Sequence, residues 1–147
     1  MAKQPLTKKK YIETPEKLLE LFNEYREYTK SRPITIKDWV GKDAVQVDRE
    51  KERPLTIEGF ENYLFEKGVI GDLSHYFANT NNAYEAYLTI CSHIRRIVRQ
   101  DHIEGGMAGI YNPSITQRLN NIVEKQEVEN KGETTKTIIF KHEPLDE

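Results

Sequence analysis

Apolar residues recur every three or four positions at Leu18, Leu21, Phe22, Tyr25 and Tyr28, a spacing that predicts an amphipathic helix over residues 15–30. Thr14-Pro15-Glu16 marks its start with an N-cap, a proline at the first helical position and an acid in the first turn, and Pro33 ends it. The pattern then shortens to β-prone pieces, Ile34-Thr35-Ile36 through Trp39-Val40 and Ala44-Val45-Gln46-Val47, separated by Gly41-Lys42-Asp43 as turn material. A β-hairpin over 34–52 follows. Because a lone hairpin is marginal in water, it is expected to pack on the helices or on another subunit, with Trp39 as the anchor.

Helical spacing returns after Arg53-Pro54-Leu55-Thr56, where Thr56 caps a helix carrying Ile57, Phe60, Tyr63 and Leu64 on one face and Gly68 closes it. The turn Gly68-Val69-Ile70-Gly71 leads to a short helix from Asp72 to Phe77, which Asn79-Thr80-Asn81-Asn82 breaks. Two short helices about a glycine-bearing turn have the outline of a helix-turn-helix, which any helical hairpin of a small α domain shares. A long helix is predicted from Ala83 to about Tyr111, with Tyr84, Tyr87, Cys91, Ile94 and Val98 along one face and Arg95, Arg96 and Arg99 elsewhere. Such arginines either solvate a helix face or hold phosphates.

Toward the end of that helix the chain reads Gly105-Gly106-Met107-Ala108-Gly109. A phosphate-binding loop is excluded, because the glycines follow helical residues and no lysine comes after them. His102, Gly105, Gly106 and Gly109 instead form a helical stripe almost without side chains, which invites close approach by another helix. Asn112-Pro113 restarts a short helix to Leu119. Beyond Asn120 the stretches from Ile122 to Val128 and from Thr135 to Phe140, either side of Asn130-Lys131-Gly132, suggest a second hairpin, with disorder from about Glu129 as the alternative. Several copies could pair such edges into a barrel, so Gly105, Gly106, Gly109, Ile122, Val128, Ile138 and Phe140 are the expected assembly residues. The fold class expected is mainly α: a basic arm at 1–11, a helical domain at 12–120 with its hairpin insertion, and a β segment with an acidic tail at 121–147.

The 147 residues suffice for one domain with a core, and 31% charged against 37% hydrophobic residues implies a small core or a surface meant for partners. The lone Cys91 leaves no disulfide and no cysteine pair for zinc, and its expected role is packing. No apolar run is long enough for a membrane span, and Met-Ala-Lys-Gln-Pro lacks a signal peptide's apolar region, so a cytosolic location is expected. With a net charge of −2, nucleic-acid binding has to rest on local clusters. The candidates are Lys8, Lys9 and Lys10 in the arm, Lys67, Ser74 and His75 in the helical pair, and Arg95, Arg96 and Arg99 on the long helix. His75, His93, His102 and His142 lack metal-ligand spacing, hydrolase, Walker and kinase motifs are missing, and Asp101 and Glu104 read as a solvated helix edge. Binding or assembly is therefore expected, without catalysis, cofactor or metal. A dimeric helix-turn-helix regulator and a structural adaptor are alternatives.

Several stretches, in order, resemble the small terminase subunits of tailed bacteriophages: Thr14-Pro15-Glu16-Lys17-Leu18 with Tyr25, Tyr28 and Pro33; Arg53 to Phe60; then Arg99-Gln100, Gly105-Gly106, Asn112-Pro113-Ser114-Ile115 and Arg118-Leu119. The resemblance covers roughly residues 12–125. It implies a helical protomer that forms a homo-oligomeric ring in the cytoplasm of an infected bacterium and engages double-stranded viral DNA. It further implies a C-terminal barrel, and a partner large subunit carrying the ATPase and nuclease. One departure is Asp72, an acid opening the second helix of the pair, which would repel phosphate and moves weight to the arginines and the lysine arm.

Overall fold

A computed structural model describes residues 10–122, of which 57% are helical. The elements run α1 (Pro15–Lys30), β1 (Ile34–Val40), β2 (Val45–Lys51), α2 (Ile57–Glu66), α3 (Ser74–Ala78), α4 (Leu88–Met107) and α5 (Pro113–Leu119). Single 3-10 turns at Thr80–Asn82 and Glu85–Tyr87 join α3 to α4.

Three helices begin where a side-chain oxygen can take an otherwise unpaired backbone N–H. Thr14 accepts from Lys17, Thr56 from Gly59 and Asn112 from Ile115. These caps lie where the sequence placed them. The long helix starts later than expected, at Leu88, because Asn79, Asn81 and Asn82 adopt left-handed backbone and the chain turns through them. It ends at Met107, so Gly109 lies beyond it in a left-handed turn, with open space where a Cβ would be.

Among the described residues the core is one cluster. Leu18, Leu21, Phe22 and Tyr25 of α1 meet Phe60 and Leu64 of α2 and Cys91, Ile94 and Val98 of α4, with Phe22 edge-on to Phe60 at 5.2 Å. Cys91 packs there as expected, and burial pushes its thiol up. At the other end Ile12 is buried, its N–H bonded to the Tyr76 hydroxyl and its carbonyl accepting from Tyr87. The chain entering α1 is thereby clamped against α3.

The strands β1 and β2 pair antiparallel from Ile34↔Lys51 to Val40↔Val45. Trp39 is no anchor: it remains 63% exposed near the tip. The hairpin is held at its base instead, where Glu52 pairs with Lys30 at 2.8 Å and Arg53 Nε donates to the Arg32 carbonyl. Neither strand carries a buried residue, so the attachment falls to polar contacts where the hairpin's ends enter the helical body.

The glycine stripe is occupied by its own chain. A Cβ on Gly105 would lie 2.2 Å from the Tyr111 ring, and one on Gly106 would lie 3.0 Å from the Thr116 methyl. The close approach expected between helices is thus the fold-back of residues 108–120 onto α4. Of the other expected assembly residues Ile122 is exposed, and Val128, Ile138 and Phe140, with the expected second hairpin, lie outside the described residues.

Gly105→Ala should lower stability by about 2 kcal/mol despite alanine's better helix propensity, because the methyl must displace a ring that is held in place. In a Tyr111→Ala background the same change should become neutral or stabilising. Urea denaturation of the four proteins in this double-mutant cycle measures both.

Candidate nucleic-acid interface

Helix α4 organises the basic surface. Its inward stripe is Cys91, Ile94, Val98, Asp101 and Gly105, at helical spacing, and Arg96 projects from the opposite side. From Ala86 to Gln100 the chain carries three arginines and no acid.

The three arginines differ in freedom. Arg95 donates to the Phe77 carbonyl at 3.3 Å and lies over the Phe77 ring, and Arg99 donates to the Asn120 carbonyl at 2.9 Å. Both therefore tie neighbouring elements to α4. Arg96 is exposed and has no partner among the described residues, leaving its guanidinium fork open to an anion.

The remaining candidates separate into two places. Lys10 reaches the Ala83 carbonyl and lies 4.9 Å from the Tyr84 ring centre, folded back on its own chain. Ser74 and His75 open α3, where the Asp72 carboxylate accepts from the Ser74 N–H and His75 meets the Thr80 hydroxyl. His75 and Tyr84 line one shallow cleft, and Lys10 lies over the Tyr84 ring. Lys67 is elsewhere, paired with Glu24 at 2.6 Å. Each member of that pair holds the other charged, the lysine shifted up and the glutamate down. Lys8 and Lys9 lie outside the described residues.

The expected short helix of the pair is shorter still, five residues of α3, or about 7.5 Å. Asp72 precedes it rather than opening it and satisfies its first N–H.

Asp101 is not a solvated edge. Its carboxylate is 15% exposed and accepts from Lys30 Nζ at 2.5 Å and from the Leu55 N–H at 2.9 Å. Lys30 Nζ also donates to the Tyr111 hydroxyl at 2.9 Å and to the Arg53 carbonyl at 3.1 Å. Beside this junction His102 Nε2 meets the Leu55 carbonyl, and Asn120 Nδ2 bridges His102 Nδ1 and the Thr116 carbonyl. Asn120 can only donate there, so His102 Nδ1 accepts and Nε2 carries the proton. Only Glu104 of the expected acidic edge is exposed. Sequence reasoning missed this junction because its partners are 71 and 46 residues from Asp101.

Burial alone would pull the Lys30 ammonium down, but Asp101, Glu52 and Tyr111 outweigh it and hold it well above the ordinary lysine value. Burial also raises the Tyr111 hydroxyl, against the opposing pull of Lys30.

Among the described residues no cluster of three or more His, Cys, Asp or Glu could hold a metal, and no helix is long and apolar enough to cross a membrane. The chain matches no protein-family model and no curated protein.

Lys30→Met should cost about 3 kcal/mol at neutral pH, since it strands a carboxylate in a mostly enclosed site. Both raised groups keep their protons in the folded chain after the unfolded chain has lost them. Wild-type stability should therefore be insensitive to them below about pH 10 and fall as pH rises further. The gap between wild type and Lys30→Met should narrow over that alkaline range. Urea midpoints between neutral pH and about pH 11 test both.

Proposed function

We propose that the chain is a small terminase subunit: a non-catalytic, ring-forming protein that binds double-stranded viral DNA and delivers it to a large subunit carrying ATPase and nuclease, in the cytoplasm of the infected bacterium. The observation that supports this most is where the residues bearing the resemblance meet. Tyr25 bonds both the N–H and the carbonyl of Thr56, and its hydroxyl lies where a Gly59 Cβ would be. The Arg53–Thr56 strip touches α4 through Leu55, and Gly105 and Gly106 receive Tyr111 and Thr116, which flank Asn112-Pro113. Stretches separated along the chain thus build one junction, as expected if they are one inherited unit rather than chance agreements.

DNA contact in this reading falls on the outward face of α4, centred on Arg96. A single protomer offers few phosphate contacts. A ring repeats them and raises their effective concentration, so a protomer of net charge −2 is no obstacle. The segment after Asn120, whose sequence suggests strands and almost all of which lies beyond the described residues, is assigned in this reading to ring closure. The five residues of α3 disfavour the dimeric regulator, which needs a recognition helix able to enter the major groove.

Arg96→Glu should weaken binding to a duplex of about 30 base pairs roughly tenfold and flatten the salt dependence by about one unit per engaged protomer. Lys67→Ala, whose ammonium Glu24 already neutralises, should change affinity by less than about twofold. Fluorescence anisotropy across a salt titration reads both. Native mass spectrometry showing only monomers at micromolar concentration would remove the ring, and absence of salt-dependent duplex binding would remove the DNA role.

A further inference from the structure

Away from the α4 arginines, a groove of about 480 Å³ runs between the end of α1, the start of β1, residues 53–56 and α2. Its volume lies in the range of small-ligand sites. Three features give it a chemistry. Arg32 stacks on the Tyr28 ring with its guanidinium carbon 3.9 Å from the centroid, and its Nη1 donates to the Tyr28 hydroxyl. Arg53 spends Nε on the Arg32 carbonyl, and among the described residues its two terminal nitrogens have no partner. Tyr28 and Tyr63 pack with ring centres 5.1 Å apart, and Asn62 beside them is exposed with its amide unused among the described residues.

Two guanidiniums face one carboxylate, Glu66, across this groove, so its balance is positive. A guanidinium with both terminal nitrogens free suits a phosphate or carboxylate bidentately, and one already stacked on an aromatic ring loses little freedom on binding. Tyr28 is covered by Arg32 and Tyr63 by Lys67 at 5.2 Å, while Arg32 itself is exposed. A guanidinium plane backed by a ring, and an amide that both donates and accepts, are what a nucleobase face and edge require. A carboxylate peptide would use the arginines' charge and leave that plane and the amide idle. A duplex keeps its bases stacked inside and offers the groove only phosphate.

We propose that this groove binds an unpaired nucleotide of a single DNA strand, with its phosphate on Arg53, its base stacked on the guanidinium that Arg32 lays over Tyr28, and its edge at Asn62. The proposal rests on the nucleic-acid reading above for the choice of DNA, and it adds a second site with a different preference.

The test is fluorescence anisotropy of the full chain with a labelled oligothymidylate of about eight nucleotides and, in parallel, a labelled duplex. Arg32→Ala and Asn62→Asp are the variants, both at exposed positions, and Arg96→Glu is the control. The groove variants should each weaken single-strand binding about tenfold with duplex affinity nearly unchanged, and Arg96→Glu should do the reverse. Single-strand binding that is absent in the wild type, or that ignores both groove variants, overturns the proposal. Displacement of the oligonucleotide by an oligoglutamate at equal concentration overturns the choice of nucleotide over acidic peptide. Loss of duplex binding alone would sink the packaging role and leave the groove standing.

Discussion

The pairing of Lys30 with Asp101 is the contact on which the rest of the arrangement turns. Lys30 is the last residue of α1, Asp101 lies two-thirds along α4, and their ion pair also takes in Glu52 at the hairpin's exit, the Arg53 carbonyl and the Tyr111 hydroxyl. Apolar packing of Leu18, Phe22, Phe60 and Ile94 is non-directional and would tolerate small rolls of α4 about its axis. A charge-assisted hydrogen bond tolerates far less. With Asp101 held inward, Arg96 must face out, so the exposed basic surface is a geometric consequence of a mostly enclosed acid.

The glycines serve the same junction. Without a Cβ on Gly105, the Tyr111 ring can lie directly on α4, and only from there does its hydroxyl reach Lys30 and Asp101. A stripe that costs helix propensity is therefore offset by an aromatic ring and a hydrogen bond gained within the chain. Gly59 repeats the device on a smaller scale, clearing space for the Tyr25 hydroxyl that clasps Thr56.

What the sequence revealed and what it hid follow from the range of each interaction. Caps at Thr14, Thr56 and Asn112 and the hairpin between Ile34 and Lys51 are settled within a few residues, so their residue types announce them. The helix predicted from Ala83 begins only at Leu88 because left-handed asparagines extend the break, a local feature that apolar spacing alone does not register. Asp101 read as a solvated edge because its partners lie far away in the chain, and Trp39 read as an anchor because size and apolarity do not say whether a surface awaits it. The glycine stripe did signal a close approach. Its partner, Tyr111 and Thr116 of the same chain, could not be named without the path of the turn between them.

That partner constrains how copies of this chain could meet. The bare surface of α4 is already filled, and the apolar side chains left uncovered beside it are those around α5. Met107, Ile115 and Leu119 are 84%, 57% and 67% exposed, and the last two line an apolar cleft of about 210 Å³ with Pro54 and His102. The orientation of α5 is in turn fixed by Thr116 on Gly106 and by Asn120 on His102. Residues that complete the fold on one side of this short helix thereby decide which apolar residues its other side leaves uncovered.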